Sequence, residues 1–231
     1  MVRIKKDFMT FIRSKFRKSD VKVNDDMIDY LKKQNYILMP WKNGQGMTRE
    51  LAMVPHSPKR DDSPFLWRIS IAAVTDDGPF SVFPNIDRHL MLIEGNGITL
   101  DGGEQGMGML FEDLQVYSFP GDIEVSGKLA DGPIRDFNVM VDRRYAKADL
   151  TGFYLNVPEK LSLRADVHFI HLLEGSSPVV FDLDGSLTVM SGGDSLKIEN
   201  EKGLATIMQM EEGGGPSAVA FVSIDMINQN G

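Results

Sequence analysis

The fold is decided by two similar stretches of sequence, "HLMLIEGNG" at residues 89–97 and "HFIHLLEGSS" at residues 168–177. Each contains an apolar run that ends in Glu-Gly, so that Glu94 aligns with Glu174 at an offset of 80 residues. Short apolar runs are typical of strands, and Gly supplies the positive φ that a tight turn requires. The two stretches therefore predict the same strand and turn in each half of the chain.

A second pair of matches follows in the same order. "FPGDIEV" at 119–125 parallels "SGGDSLKI" at 191–198, and their Gly-Asp dipeptides lie 72 residues apart. Two features repeated in one order indicate an internal duplication. The chain is thus predicted to contain two tandem β-modules.

The rest of the chain also has the pattern of strands. Short β-branched or aromatic runs recur every ~8 to 12 residues between Gly, Pro, Asn and Asp, which favours a sandwich or barrel over a parallel sheet. The predicted strands are "FLWRISIAAV" (65–74), "HLMLIEG" (89–95), "GITL" (97–100), "LQVYSF" (114–119), "IEVSG" (123–127), "DFNVMV" (136–141), "LSLRADVHFIHLLEG" (161–175), "PVVFDL" (178–183), "SLTVM" (186–190), "ATIMQM" (205–210) and "AVAFVSI" (218–224).

Composition limits the classes of function. The chain has 231 residues, 42% of them hydrophobic, which is enough for a buried core. It contains no run of about 18 apolar residues and no signal-peptide pattern, so we predict a cytoplasmic protein with no transmembrane segment. The absence of Cys excludes disulfides, Cys-ligated zinc and a thiol nucleophile.

Charge is distributed unevenly along the chain. Residues 1–22 hold eight Lys or Arg and two Asp, whereas the whole chain has a net charge of −8. The acidic body argues against nucleic acid as a partner, because binding it depends on a clustered basic surface. Phe8, Ile12 and Phe16 in this leader recur every four residues, which suits either a helix on an anionic membrane surface or a tail without that role.

A short helix is predicted after the leader. Asn24 suits an N-cap, Met27 and Leu31 lie one turn apart, and Lys32 and Lys33 suit the last turn. We therefore expect a short N-terminal helical extension before the first strand.

Three long motifs carry a resemblance to a known family. They are "PWKNGQGMTRE" (40–50), "WRISIAAVTDDGPFSVFPNIDRHLMLIEG" (67–95) and "FPGDIEVSGKLADGPIRDFNVMVDRR" (119–144), and they resemble the HutD/Ves family. That family is associated with bacterial histidine utilisation and has no established enzymatic activity. Asn85 stands where the family usually has Gly, and the turn is expected to survive because Asn tolerates a left-handed backbone.

The resemblance also implies an architecture. The order of strand, Glu-Gly turn, hairpin and second Gly turn resembles the cupin module, a small double-sheet jelly roll. The chain is therefore predicted to be all-β, with two tandem cupin-type jelly-roll barrels, a bicupin. The predicted units are a basic leader and short helix over 1–35, a barrel with the ligand pocket over 36–150, and a second barrel over 151–231.

Metal binding is not predicted, although many cupins bind a metal. Such a site needs two His one residue apart, a Glu shortly after them, and a third His on a later strand. The first half has only His89 and Glu94, while His168 and His171 in the second half are spaced to point to opposite faces of a strand. We expect neither a metal nor another cofactor.

Two of the predicted strands, 65–74 and 136–141, have one polar and one apolar face. Either the polar faces meet water over an ordinary core, or they line a barrel lumen while the apolar faces pack against the other module. We predict the second arrangement, because the motifs of the resemblance include the polar positions. Its lumen residues are Arg68, Ser70, Asp136 and Asn138, and its outward-facing residues are Trp67, Ile69 and Phe137.

Further polar and aromatic residues are predicted around this lumen. A buried arginine must be paired, so Arg68 is expected to contact Asp136 or Glu50. The loop at 78–88 would either close the pocket with Phe80 or be a structural loop tied by an Asp87–Arg88 ion pair. Trp41 would either pack on the barrel rim or stack on a ligand. The predicted ligand-binding residues are Trp41, Lys42, Asn43, Thr48, Arg49, Glu50, Arg68, Ser70, Phe80, Arg88, Asp136 and Asn138.

Three hypotheses of function follow. The first is a metal-free bicupin that binds a small carboxylate or amide metabolite and modulates histidine utilisation, since Arg and Asn side chains suit such ligands. The alternative is a cupin-fold isomerase, lyase or hydrolase that acts on a small acid with Glu50 or Asp136 as general base. The third is a module whose acidic surface docks a basic protein. A homodimer through a bare sheet edge is a separate hypothesis.

Overall fold

The computed structural model of this protein describes residues 28–41, 44, 46–57, 62–210 and 215–227, so the basic leader lies outside the described residues. Within them the chain forms strands β1 to β19 and two 3-10 turns, at Lys33–Asn35 and Gly103–Gln105. The strands are β1 Ile28–Leu31, β2 Ile37–Pro40, β3 Gly46–Val54, β4 Trp67–Val74, β5 Gly78–Pro79, β6 Ile86–Glu94, β7 Ile98–Asp101, β8 Met107–Leu110, β9 Val116–Pro120, β10 Ser126–Leu129, β11 Ile134–Asp142, β12 Ala146–Tyr154, β13 Glu159–Leu163, β14 Val167–Leu172, β15 Val179–Leu183, β16 Ser186–Met190, β17 Ser195–Glu199, β18 Gly203–Gln209 and β19 Ala218–Met226.

These strands form four antiparallel sheets. Sheet 1 has the order β2-β3-β4-β11-β6-β9 and sheet 2 the order β5-β10-β7-β8, while sheet 3 is β1-β17-β14-β19-β12 and sheet 4 is β13-β18-β15-β16. Sheets 1 and 2 share one apolar core, and sheets 3 and 4 share another. The all-β prediction is confirmed. The two closed barrels are not confirmed, because in the part of the chain that the structure describes each apolar core lies between two separate sheets.

A third apolar core joins the two sheet pairs through sheets 1 and 3. Ile69 on β4 and Phe137 on β11 are fully buried there against Phe169 on β14 and Val222 on β19. Because side chains alternate along a strand, the faces of β4 and β11 that do not carry Ile69 and Phe137 are directed into the space between sheets 1 and 2. The polar positions of both strands therefore lie in the space between those sheets.

The predicted N-terminal helix is wrong within the described residues. Ile28–Leu31 is β1, which pairs with β17 at the edge of sheet 3. Ile28 and Tyr30, two residues apart, pack on the core between sheets 3 and 4, as the two-residue period of a strand requires. The tertiary contacts offered by the sheet edge outweigh the helical spacing of Met27 and Leu31.

Two polar contacts anchor β1 and the 3-10 turn after it. The hydroxyl of Tyr30 donates to Asp194 Oδ2 at 2.6 Å, and the backbone N–H of Lys33 donates to Asp194 Oδ1 at 2.9 Å. Asp194 belongs to the repeated Gly-Asp turn and is 8% exposed. Burial and the neighbouring carboxylate raise the pKa of Tyr30.

The Tyr30→Phe substitution is expected to lower the free energy of unfolding by about 1–2 kcal/mol, because it leaves a buried carboxylate oxygen without its donor. Chemical denaturation measures this loss. The matched control is Tyr154→Phe, which removes a 3.0 Å hydrogen bond to Asp113 from a 44% exposed side chain and should change stability by less than about 0.5 kcal/mol. Equal losses in both variants would contradict the role of the Tyr30 contact.

The structure corrects other details of the predicted strands. β12 is absent from the prediction, because its polar Asp149 and Thr151 and its Gly152 weaken the strand pattern. The single run predicted at 161–175 is two strands, β13 in sheet 4 and β14 in sheet 3. Asn85 has a φ of 63°, so the expected left-handed turn is confirmed.

The boundary predicted at residue 150 falls inside β12, all of which pairs with β19 in sheet 3. Sheet 3 also includes β1, from the N-terminal side of sheets 1 and 2. The division into units at 1–35, 36–150 and 151–231 stays a prediction. The described residues contain no helix long and apolar enough to cross a membrane.

Candidate ligand pocket

A cavity of about 490 Å³ lies between sheets 1 and 2. Strand register explains its polar floor. Met140 on β11 pairs with Arg68 on β4 and with Arg88 on β6, so these three side chains lie on the same face of sheet 1. Asn138 pairs with Ser70 one step further along the same face. All five side chains line the cavity.

Arg88 is the most buried cation of the cavity wall, with 6% of its surface exposed. Its guanidinium carbon lies 5.1 Å from the ring centre of Phe80 and 5.0 Å from that of Phe119. These distances are those of cation–π contacts. One terminal nitrogen donates to Asn138 Oδ1 at 3.1 Å, whereas Nε has no hydrogen-bond partner among the described residues. A charged donor is therefore buried at the cavity without an acceptor.

Asp136 is fully buried and does not line the cavity. Its Oδ1 accepts a hydrogen bond from the amide nitrogen of Asn138, whose oxygen is already held by Arg88. Its Oδ2 has no partner among the described residues. Burial raises the pKa of Asp136 to about 7, against the opposing effect of the Arg88 charge. Burial also lowers the pKa of Arg88 to about 10.

Of the two partners considered for Arg68 from the sequence, the structure shows Glu50 and not Asp136. Nε of Arg68 donates to Glu50 Oε2 at 2.8 Å. Asp136 pairs across the strands with Ala72, which is four residues and thus about 13 Å along β4 from Arg68. Glu50 sits beside Ser70, much nearer to Arg68, so it forms the ion pair.

Two further side chains make contacts other than those considered from the sequence. Arg49 points to the opposite face of β3 from Thr48 and Glu50, and it forms an ion pair with Glu174 outside the cavity. Asp87 does not pair with Arg88 but accepts from Arg143 Nε at 2.7 Å. Adjacent residues of a strand point to opposite faces, which separates the Asp87 and Arg88 side chains.

The hairpin between β2 and β3 supplies one side of the cavity mouth. The indole N–H of Trp41 donates to Thr48 Oγ1 at 2.8 Å, and both residues line the cavity. A Cβ on Gly46 would lie 2.8 Å from the indole ring, so glycine is what allows this close approach. Lys42 and Asn43 lie outside the described residues.

The segment around β5 supplies another part of the cavity lining. Phe80 and Phe83 line the cavity there, as expected for a loop that closes a pocket. Phe80 rests on Gly127 of β10, where a Cβ would be 2.7 Å from its ring. Asp76 brings a carboxylate to the same rim.

Of the twelve residues predicted to bind a ligand, the structure brings seven to the cavity. Neither Glu50 nor Asp136 lines it, although each holds a residue that does. Met140 is absent from the predicted ligand-binding residues although alternation places it on the face of Asn138, and Phe119, whose contact with Arg88 depends on the fold, is absent as well. That any of them binds a ligand stays a prediction. The seven are Trp41, Thr48, Arg68, Ser70, Phe80, Arg88 and Asn138.

The two repeated glutamates meet at one arginine outside the cavity. A terminal nitrogen of Arg135 lies 3.2 Å from Glu94 Oε2 and 2.9 Å from Glu174 Oε2. Arg49 also donates to Glu174, which lowers the pKa of that carboxyl. The glutamates of the duplicated turns thus join sheet 1 to the end of β14 in sheet 3.

Three of the four histidines contact serines or the backbone, and Nε2 of the fourth, His56, lies 3.1 Å from Asp142 Oδ2. His171 is buried, its Nδ1 lies 2.8 Å from Ser195 Oγ, and burial lowers its pKa to about 3. His168 accepts from the backbone N–H of Ala165 at 3.1 Å. His89 lies 2.7 Å from Ser118 Oγ. Among the described residues, no three His, Asp or Glu side chains are grouped as a metal site would require.

Facing antiparallel β-sheets that enclose a cavity are the architecture of double-sheet β-proteins of the jelly-roll type. A protein of this overall fold is YlbA from Escherichia coli, which is 12% identical over 95% of this chain and 98% of its own, with a TM-score of 0.58. The chain belongs to the HutD family, whose sequence profile matches residues 33–214.

Two solved structures of higher identity share this overall fold. A conserved protein of unknown function from Pseudomonas aeruginosa PAO1, PA5104, is 30% identical, with a TM-score of 0.74. HutD from Pseudomonas fluorescens SBW25 is 26% identical, with a TM-score of 0.69. Both comparisons cover 87% of this chain and 100% of the other.

Curated relatives match over shorter segments. Protein Ves of Cronobacter sakazakii is 39% identical over 111 residues, which are 48% of this chain and 58% of the relative. An uncharacterised 21.2 kDa protein from the hutC 3′ region of Pseudomonas putida is 36% identical over 128 residues, 54% of this chain and 64% of the relative. The chain thus spans less than two thirds of these relatives.

Proposed function

We propose that this chain is a metal-free bicupin whose pocket binds a small carboxylate or amide metabolite. The observation that carries the proposal is Arg88, a buried cation that lines the cavity and whose Nε has no hydrogen-bond partner among the described residues. A buried donor without an acceptor is costly, and a ligand oxygen would remove that cost. A carboxylate suits a guanidinium best, because it accepts two parallel hydrogen bonds.

The charges around the cavity support an anionic ligand. Arg68 is paired with Glu50, but Arg88 has no carboxylate within ion-pair distance among the described residues. Asp136 carries less than a full negative charge near neutral pH, because burial raises its pKa to about 7. The Arg88 charge is therefore only partly balanced by the protein.

Size and shape support a small molecule. A volume of about 490 Å³ lies within the range of small-molecule sites. Trp41 and Phe80 on the rim offer flat apolar surfaces, and Ser70 and Asn138 offer neutral hydrogen-bonding groups for an amide. The site thus combines one strong contact for an anion with a wall of both apolar and neutral polar side chains.

A role in histidine utilisation is proposed from the family alone. HutD gives the family its name, and one relative is described by its place in the hutC 3′ region. We propose that the pocket binds an acid of that pathway in the cytoplasm and that binding modulates the pathway.

Isothermal titration calorimetry tests the proposal with urocanate, formylglutamate, formiminoglutamate and glutamate. We expect heat from at least one of them, with a 1:1 stoichiometry. Ser70→Ala should weaken that binding, whereas Ser162→Ala, at an exposed position on β13, should leave it unchanged. Absence of heat with all four compounds would refute the proposal.

A second candidate function is catalysis, because a buried carboxyl with a pKa of about 7 suits a general base. Asp136 would have to act through Asn138, since its own side chain does not line the cavity. Incubation of the same four compounds, followed by mass spectrometry, tests this function. Product that disappears in a folded Asp136→Asn variant would favour an enzyme over a binding protein.

Homodimerisation stays a hypothesis. β2 is an edge strand of sheet 1, and Ile37 and Leu38 on it are 60% and 54% exposed. Analytical ultracentrifugation at several protein concentrations tests whether two chains associate.

A further inference from the structure

We propose that Asp136 takes up a proton when a carboxylate binds at Arg88, so that the pocket binds its ligand together with a proton. The inference rests on the proposed function and deepens it. Asp136 is then a positioning residue, because it touches Asn138 and not the ligand. It sets the pH range in which the pocket accepts an anion.

The geometry links the two charged groups through one amide. Arg88 donates to the oxygen of Asn138, and the nitrogen of Asn138 donates to Asp136 Oδ1. Both donor and acceptor ends of Asn138 are thus used, which determines the orientation of its amide. The other oxygen of Asp136 and Nε of Arg88 have no partners among the described residues. The hydrogen-bonded series Arg88–Asn138–Asp136 thus has one such polar atom at each end.

The surroundings leave few other charges that could compensate Asp136. On sheet 1, β6 contributes Arg88, β4 contributes Arg68 and β3 contributes Glu50, but the last two neutralise each other. The facing sheet 2 contributes apolar side chains to this core, and Asp76 lies on the cavity rim. Arg88 is the charge that stabilises ionised Asp136. The sheet 2 side chains are Ile98, Leu100 and Leu110.

A bound carboxylate would remove much of this stabilisation. The ligand charge offsets the positive charge of Arg88, and the ionised form of Asp136 becomes less favourable in its buried site. A proton from bulk solvent then binds to Asp136, whose neutral form needs no counter-charge. Each binding event therefore takes up one anion and at most one proton, and no bond in the ligand is broken.

The pH dependence follows from linkage. Below the pKa of Asp136 in the free protein, which is about 7, the residue is already protonated and the affinity does not depend on its titration. Between that pH and the higher pKa of the complex, binding takes up a proton and the affinity falls by up to about tenfold per pH unit, and above the pKa of the complex the affinity levels off. An Asp136→Asn variant cannot titrate and should bind with the same affinity from about pH 6 to about pH 9.

The experiment measures the pKa of Asp136 directly, by the ¹³C NMR shift of its carboxyl carbon, in the full chain with and without saturating acetate. Binding of acetate is followed separately by the ¹⁵N signal of Arg88 Nε. We expect the pKa to rise by roughly one pH unit or more when acetate binds. The same titration is run with the four compounds used for calorimetry.

Calorimetry in phosphate and Tris buffers at about pH 8 gives the number of protons taken up. The wild type should take up a substantial fraction of one proton per ligand, and Asp136→Asn should take up none. At that pH the variant should bind several-fold more tightly than the wild type. Glu159→Gln, which removes an exposed carboxylate on β13, should behave as the wild type.

The outcomes separate the two proposals. If acetate shifts the Arg88 signal but leaves the pKa of Asp136 unchanged, the coupling is wrong and the binding function stands. If neither acetate nor any of the four compounds shifts the Arg88 signal, the binding function is wrong, and the inference falls with it. Proton uptake that persists in Asp136→Asn would assign the coupling to another group and overturn the role of Asp136.

Discussion

The Arg88→Met variant is expected to bind the carboxylate ligand about a hundredfold more weakly than the wild type, because it removes a buried charged donor from the site. Met keeps an apolar chain between the rings of Phe80 and Phe119, so the walls of the cavity should remain in place. Calorimetry with the best of the four pathway compounds measures the loss.

The variant should stay folded, because Asp136 can become neutral. Without the charge of Arg88 the pKa of Asp136 should rise further, and the protonated carboxyl needs no counter-charge in its buried site. The control is Arg164→Met, which removes an exposed arginine next to β13. Circular dichroism checks that both variants retain the β-sheet spectrum of the wild type.

Arg68→Met provides an internal comparison at the same site. The charge of Arg68 is already offset by its ion pair with Glu50, so Arg68 attracts an anionic ligand less strongly. Its loss should therefore weaken binding less than the loss of Arg88. A dissociation constant unchanged by Arg88→Met, or a larger effect of Arg68→Met, would show that Arg88 is not the main anion contact.

The Phe137→Ala variant is expected to lose about 3–5 kcal/mol of unfolding free energy, the usual cost of removing a large aromatic side chain from a packed core. Phe137 is fully buried between sheets 1 and 3, and its ring centre lies 5.6 Å from that of His171. The substitution would open a void between the two sheet pairs. Urea denaturation measures the loss.

Two further substitutions control this experiment. Phe111→Ala truncates a ring that is 50% exposed and should cost less than about 0.5 kcal/mol. Phe137→Leu keeps most of the volume and should cost about 1 kcal/mol, which leaves a folded protein to measure if the alanine variant does not fold. Equal losses for Phe137→Ala and Phe111→Ala would contradict the packing of sheet 1 on sheet 3.

Alternation along single strands could be predicted from the sequence, because it depends only on neighbouring residues. The pattern of "WRISIAAV" placed Arg68 and Ser70 on one face and Ile69 and Ile71 on the other, and the structure has these faces. The same rule places Thr48 and Glu50 on the face opposite Arg49, as the register of β3 has them. Local geometry thus predicted which residues can share a surface.

The partners on each face could not be predicted in the same way. β11 lies between β4 and β6 in sheet 1, and this order and register bring Arg88 level with Met140 and Arg68. A shift of two residues would keep every side chain on its face and still change which charges meet. Register is set by contacts between residues far apart in the chain. The choice of Glu50 as the partner of Arg68 could therefore be seen only in the tertiary structure.

By itself the sequence determined that the chain is all-β, which faces of its strands are polar, and that it resembles the HutD/Ves family. Those features depend on residue type and on spacing within a strand, which are local. Only the tertiary structure decided that Ile28–Leu31 is a strand of sheet 3, that Arg88 is the most buried cation of the cavity, and that Asp136 contacts Asn138 without lining the cavity. These features depend on which strands pair and which sheets pack, because the stabilising contacts are made between residues that are distant in sequence.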